Sequence, residues 1–89
     1  MNSHAVEDFW TLFRALPAAT RKQAYKAFRQ FQRDPFHPSL NFKEVNKRQG
    51  IWSARVSDKY RVLGYREGAE MRWFWIGTHT EYDKLMARL

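Results

Sequence analysis

Apolar residues recur through the first third of the chain with the spacing of a helix. Val6, Phe9, Trp10, Phe13 and Leu16 follow an i, i+3, i+4, i+7 pattern that lays them on one stripe, which predicts a helix over about residues 4–15. Leu16-Pro17 should end it, because the residue before a proline avoids the α region. A second helix is expected to run to about Arg33. It starts at Thr20, which has capping-box spacing to Gln23, or as early as Pro17. Its apolar stripe is Ala24, Ala27, Phe28 and Phe31, and a basic stripe of Lys22, Lys26, Arg29 and Arg33 runs alongside. Two amphipathic helices with a short connection predict an antiparallel hairpin.

The prolines of Asp34-Pro35-Phe36-His37-Pro38-Ser39 break the helical pattern. Leu40, Phe42 and Val45 are expected to pin an irregular segment onto the core, while Lys43, Lys47 and Arg48 leave it basic. From Ile51 the period becomes two: Trp52, Ala54 and Val56 fall on one face, Ser53 and Arg55 on the other. Ser57-Asp58-Lys59 and Glu67-Gly68-Ala69-Glu70 are turn material around a strand from Tyr60 to Arg66. Met71 to Gly77 is nearly all apolar, as expected of a central strand covered on both faces. The tail predicts a short helix with Tyr82, Leu85 and Met86 inward. Together these elements give an α+β domain, with a three-stranded antiparallel meander and the helical hairpin on one face.

A chain of 89 residues leaves room for one domain, residues 1–89. A domain this small needs a dense core. The four Trp, four Tyr and seven Phe meet that need, each ring being able to bury roughly 150–250 Å². There is no cysteine, so neither a disulfide nor a thiolate zinc site can staple the fold. No apolar run is long enough to span a bilayer and no signal peptide is recognisable, so a soluble cytoplasmic protein without membrane contact is expected. The net charge of +7 is uneven: residues 1–50 carry nine basic and four acidic groups, residues 51–89 seven and five. Such a balance attracts polyanions, be they RNA, DNA, the ribosome or an acidic protein.

Two clusters could carry chemistry. Arg55 and Arg61 lie on adjacent strands of one hairpin, with Arg61 on the side of Leu63 and Tyr65. Guanidinium groups on a partly apolar platform suit a phosphate clamp. They are equally compatible with ordinary surface arginines, or with Arg55 paired to Asp58. His79 directly follows the last strand, a rigid place to mount a group that titrates near neutral pH. Glu81 or Asp83 is placed to orient its ring, and Tyr82 to donate a proton or stack on a base; a plain capping histidine is the alternative. His4, His37 and His79 match no metal-ligand spacing, and no glycine-rich phosphate loop or nucleophile elbow is present, so no metal or cofactor is expected.

The order helix, Leu16-Pro17, basic helix, Asp34-Pro35 resembles the helical hairpin of RelE/ParE superfamily toxins. Ile51-Trp52-Ser53-Ala54-Arg55-Val56 followed by Tyr60-Arg61-Val62-Leu63 resembles that superfamily's central hairpin. Trp75-Ile76-Gly77-Thr78-His79-Thr80-Glu81-Tyr82 is similar to the histidine-bearing end of the YafQ-like subgroup. The resemblance implies two helices on one side of a twisted antiparallel sheet of three to four strands. It also implies the toxin of a type II toxin–antitoxin pair, held silent by an acidic antitoxin.

RNA-cleaving members drive a ribose 2′-OH onto the neighbouring phosphate without a metal, and so inhibit translation. On that resemblance Arg61 would stabilise the phosphate, Arg55 would assist, His79 would be acid or base, and Tyr82 would stack or transfer a proton. Lys22, Lys26, Arg29, Arg33, Lys43, Lys47 and Arg48 are the candidate contacts to RNA, free or on the ribosome. A ParE-like inhibitor of DNA gyrase and a degenerate binding module are the competing readings.

Two departures stand out. Family members begin with a strand, for which only Met1 to Ala5 is available here, so that strand is expected to be shortened or missing. Ser53 stands where some ribosome-dependent members carry a lysine.

Overall fold

In the computed structural model, which describes residues 1–89, the chain begins with an edge strand, β1 (Asn2–Ala5), and enters helix α1 (Glu7–Arg14). Helix α2 (Ala18–Arg33) follows, then a short 3-10 turn at Pro38–Leu40, and strand β2 (Lys43–Asn46). Strands β3 (Ile51–Arg55), β4 (Tyr60–Glu67) and β5 (Glu70–Thr78) form the meander, and α3 (His79–Met86) closes the chain. The sheet order is β1-β5-β4-β3-β2. All pairs are antiparallel except β1 with β5, which run parallel.

The α+β class and the helical hairpin on one face are as the sequence predicts, but the sheet has five strands rather than three or four. Both additions are four-residue edge strands, too short for periodicity to reveal. The first strand is therefore present. It is fixed by the register Asn2↔Glu70 to Ala5↔Trp73 and by the Trp73 indole, whose Nε1 donates to Ser3 Oγ at 2.7 Å. Residues 43–46, expected to be irregular, pair with β3 instead.

Helix α1 starts at Glu7, three residues later than its apolar stripe suggests, because Asn2–Ala5 are committed to the sheet. Its N-cap, Val6, offers no side-chain cap, and Glu7 and Asp8 supply the negative charge that suits a helix N-terminus. The N-cap of α2 is Pro17, not Thr20, so the expected Thr20–Gln23 capping box does not form and Thr20 is buried in the first turns. A true capping box occurs at α3: Thr78 Oγ1 accepts from the Glu81 amide, and the Glu81 carboxylate accepts from the Thr78 amide.

The core lies between the hairpin and the sheet. Phe9, Phe13 and Phe31 meet Phe42, Ala54, Met71, Trp73 and Ile76, with Phe31 set edge-on to both Phe42 and Trp73. Leu40 and Phe42 anchor the 34–46 segment as expected, while Val45 stays half-buried. Trp73 and Ile76 both enter this core although two residues separate them. That spacing is possible because the β4–β5 register shifts between Leu63 and Gly64, leaving an extra residue on β5. Phe74 and Trp75 consequently both lie on the opposite face. There α3 packs against β4 and β5 with Tyr82, Leu85 and Met86 half-buried, inward as predicted. No helix is long and apolar enough to cross a membrane.

Candidate active site

Residues alternate along β3 and β4, so Ser53 and Arg55 share the sheet face away from the helical hairpin with Arg61, which pairs with Arg55 in register. Lys43 stands opposite Ser53 on β2 and reaches the same face. At the end of β5 the chain turns directly into α3. Its first residue, His79, is held by its amide, which donates to the Lys59 carbonyl at 2.6 Å across the neighbouring turn. The result is a polar cleft of about 110 Å³ lined by Asn41, Lys43, Ser53, Arg55, Arg61, His79 and Tyr82.

All four candidates for the chemistry (Arg55, Arg61, His79 and Tyr82) therefore meet in one place, together with Lys43. The other proposed RNA contacts do not join them. Lys22, Lys26, Arg29 and Arg33 are exposed on α2, on the other side of the sheet, and Lys47 and Arg48 lie in the β2–β3 turn. The departure at Ser53 is offset in space: a lysine does flank the site, but it comes from the adjacent strand.

Each cationic group is held differently. Arg61 donates through Nη1 to the carbonyls of Ser57 at 2.6 Å and Tyr60 at 3.0 Å, which fixes the guanidinium and leaves Nη2 and Nε without a protein partner. Arg55 pairs with Asp58, one of the alternatives the sequence left open, and still borders the cleft. His79 Nε2 lies 3.5 Å from Asp83 Oδ1, one helical turn on, so Asp83 rather than Glu81 faces the ring. The Tyr82 ring centroid is 6.3 Å from that of His79. Glu81 is engaged by Thr78, whose amide and hydroxyl hold its carboxyl below the usual carboxylate range, helped by the charge of Lys84.

Asn41 and Ser53 also line the cleft, although the sequence reading assigned neither a role in it. Asn41 has φ 44°, a left-handed conformation that asparagine tolerates better than most residues. That kink sends Phe42 into the core and Lys43 to the cleft. Ser53 is buried opposite Lys43; its sequence signals were its phase with Arg55 and its place where some family members carry a lysine. No group of three or more His, Asp or Glu side chains is arranged to hold a metal ion.

A family model described as the ParE-like toxin domain matches residues 18–84, well over half of the chain. The chain belongs to this ParE-like toxin family. The matched stretch contains every cleft residue and omits β1 and α1. Among solved structures, the domain is similar to a YoeB/ParE toxin from Agrobacterium tumefaciens (TM-score 0.68, 16% identity, covering 89% of this chain and 99% of that one). It is similar to the RelB–RelE antitoxin–toxin complex from Methanococcus jannaschii (TM-score 0.70, 13% identity, 91% and 95% covered). YafQ from E. coli strain BL21(DE3) superposes with TM-score 0.65 at 11% identity, over 91% of this chain and 96% of that one. At such identities the likeness establishes the fold. No curated protein matches the sequence.

Proposed function

We propose that this domain is the toxin of a toxin–antitoxin pair and acts as a metal-independent endoribonuclease. The observation that carries the reading is the convergence of Lys43, Arg55, Arg61, His79 and Tyr82 on one cleft, from four separate elements. The groups suit transfer of a phosphoryl centre from the 5′-oxygen to the adjacent 2′-oxygen. His79 takes the 2′-OH proton, the 2′-oxygen bonds to phosphorus, and the bond to the 5′-oxygen breaks. A proton from the Tyr82 hydroxyl to that oxygen leaves a 5′-OH and a 2′,3′-cyclic phosphate. Asp83 beside Nε2 favours a proton on that nitrogen and leaves Nδ1 to accept one. Lys43 and Arg61 offer positive charge to the phosphate as negative charge builds on it. An acidic antitoxin, complementary to the net charge of +7, is the proposed restraining partner.

The ParE-like description of the matching family favours a second reading, a non-enzymatic inhibitor of DNA gyrase. The two separate in one experiment: tightly controlled expression of wild type, His79→Ala and Arg61→Ala, with growth followed and RNA 5′-ends mapped. Growth arrest with new cuts that both substitutions abolish supports the nuclease. Arrest without cuts supports the inhibitor and removes the nuclease reading. A folded protein that arrests nothing removes both and leaves a binding module.

A further inference from the structure

The face that holds the cleft continues beyond it as an aromatic track. On β4, Arg61, Leu63 and Tyr65 share this side, since Val62 packs into the opposite core and Gly64 backs onto Met71 and Trp73. The extra residue on β5 puts both Trp75 and Phe74 on the same side, next to them. Tyr65 stacks on Phe74 with centroids 4.6 Å apart and planes inclined by 27°. Leu63 beneath is fully buried, whereas Tyr65 keeps 41% of its surface exposed. Arg72 is exposed and pairs with Tyr65 in register, and His4 stands beside Arg72 on β1. Tyr65, Arg72 and His4, with Gln49, border a second open cavity of about 470 Å³.

We propose that the Tyr65–Phe74 stack, flanked by Arg72, is a base-stacking subsite for single-stranded RNA whose scissile phosphate occupies the cleft. The position of that phosphate rests on the nuclease reading above; the stacking site rests on its own geometry. Tyr65 is four residues from Arg61 along β4, roughly 13 Å at strand rise, a span of a few nucleotides for a strand that leaves the cleft and passes beside α3. Glu67 and Glu70 also border the cavity and offset Arg66 and Arg72. Net charge is therefore not what the subsite offers. Its ligand is a π-face, which every base has, with one arginine for the adjoining phosphate.

The test uses 2′-O-methyl oligouridylate, which lacks the attacking hydroxyl, in two lengths: a dinucleotide and an oligomer several nucleotides longer. Fluorescence anisotropy on the full chain reads affinity. Tyr65→Ala is expected to weaken the longer oligomer roughly tenfold, as loss of one stacked base does, and to leave the dinucleotide unchanged. Tyr65→Phe retains the wild-type affinity, which separates loss of the ring from loss of the hydroxyl. Arg72→Ala, at an exposed position that a fold tolerates, weakens the longer oligomer and flattens its salt dependence. Affinity for the longer oligomer that is indifferent to Tyr65, or no binding of it at all, overturns the proposal and leaves the stack as a protein-facing surface. Tyr65-dependent binding by a wild type that cuts no unmodified RNA supports the subsite and removes only the nuclease reading.

Discussion

The indole of Trp75 lies across Gly77, so closely that a β-carbon at Gly77 would come within 2.7 Å of the ring's Cη2 atom. Glu81 Oε1 lies on the same side, 3.1 Å from that position, so the ring or the cap must shift to admit a side chain there. Gly77→Ala is expected to destabilise the fold by about 1–3 kcal/mol, as overpacking does. Urea unfolding measures it. Gly68→Ala is the comparison, since nothing lies within 4 Å of its β-position and its φ of 60° supplies the only strain.

Replacing His79 tests chemistry with little structural interference, because its side chain is 53% exposed. His79→Ala is expected to lower RNA cleavage by about 10²–10⁴-fold, the range for one acid–base role, with unfolding unchanged within about 0.5 kcal/mol. Arg61→Ala should lose cleavage and stability together, because its guanidinium also holds the Ser57 and Tyr60 carbonyls. A His79→Ala protein that cuts RNA at the wild-type rate would take the histidine out of the mechanism.

Lys43 and the α2 lysines should differ in how they answer salt. Lys43 lines the cleft, whereas Lys22 and Lys26 face away from it. Lys43→Ala is expected to reduce the salt slope of single-stranded RNA binding by about 0.7, the value for one lost phosphate contact. Lys22→Ala should leave the slope unchanged. Titrations at several salt concentrations compare the two, and equal slopes would place the RNA elsewhere.

The α3 cap should weaken in acid. Thr78 hydrogen bonds lower the Glu81 pKa from its ordinary 4.5, so the unfolded chain takes up the proton first as pH falls. The contribution to stability is therefore full above about pH 4.5 and is lost as pH drops through the lower folded value. Hydrogen exchange of the α3 amides should show faster opening in acid for wild type, and Glu81→Gln should flatten that dependence.

Ser3 is the anchor of the first strand. Ser3→Ala leaves the indole N–H of the largely buried Trp73 without its acceptor, at an expected cost of about 1–3 kcal/mol. Loss of β1 amide protection ahead of the rest of the sheet would locate the effect.

Helical periodicity and strand alternation set the elements with enough residues to show them: α1, α2, β3, β4, β5 and α3. The same alternation put Ser53, Arg55 and Arg61 on the face away from the helices, because side-chain direction in a strand follows from position alone. The sequence therefore determined the fold class, the antiparallel β3–β4–β5 meander and the phase of the arginines, whereas the parallel pairing of β1 was not legible in it. Tertiary structure decided the rest. The two edge strands exist because β5 and β3 offer unpaired backbone donors and acceptors, which four-residue segments satisfy without any periodic signal of their own. Lys43 enters the cleft through its pairing with Ser53, and no local pattern shows that β2 lies beside β3. The Phe74–Trp75 irregularity, which lays an aromatic track along the face of the cleft, depends on how β5 registers with β4. Proximity between elements is a property of packing, and no local pattern encodes it.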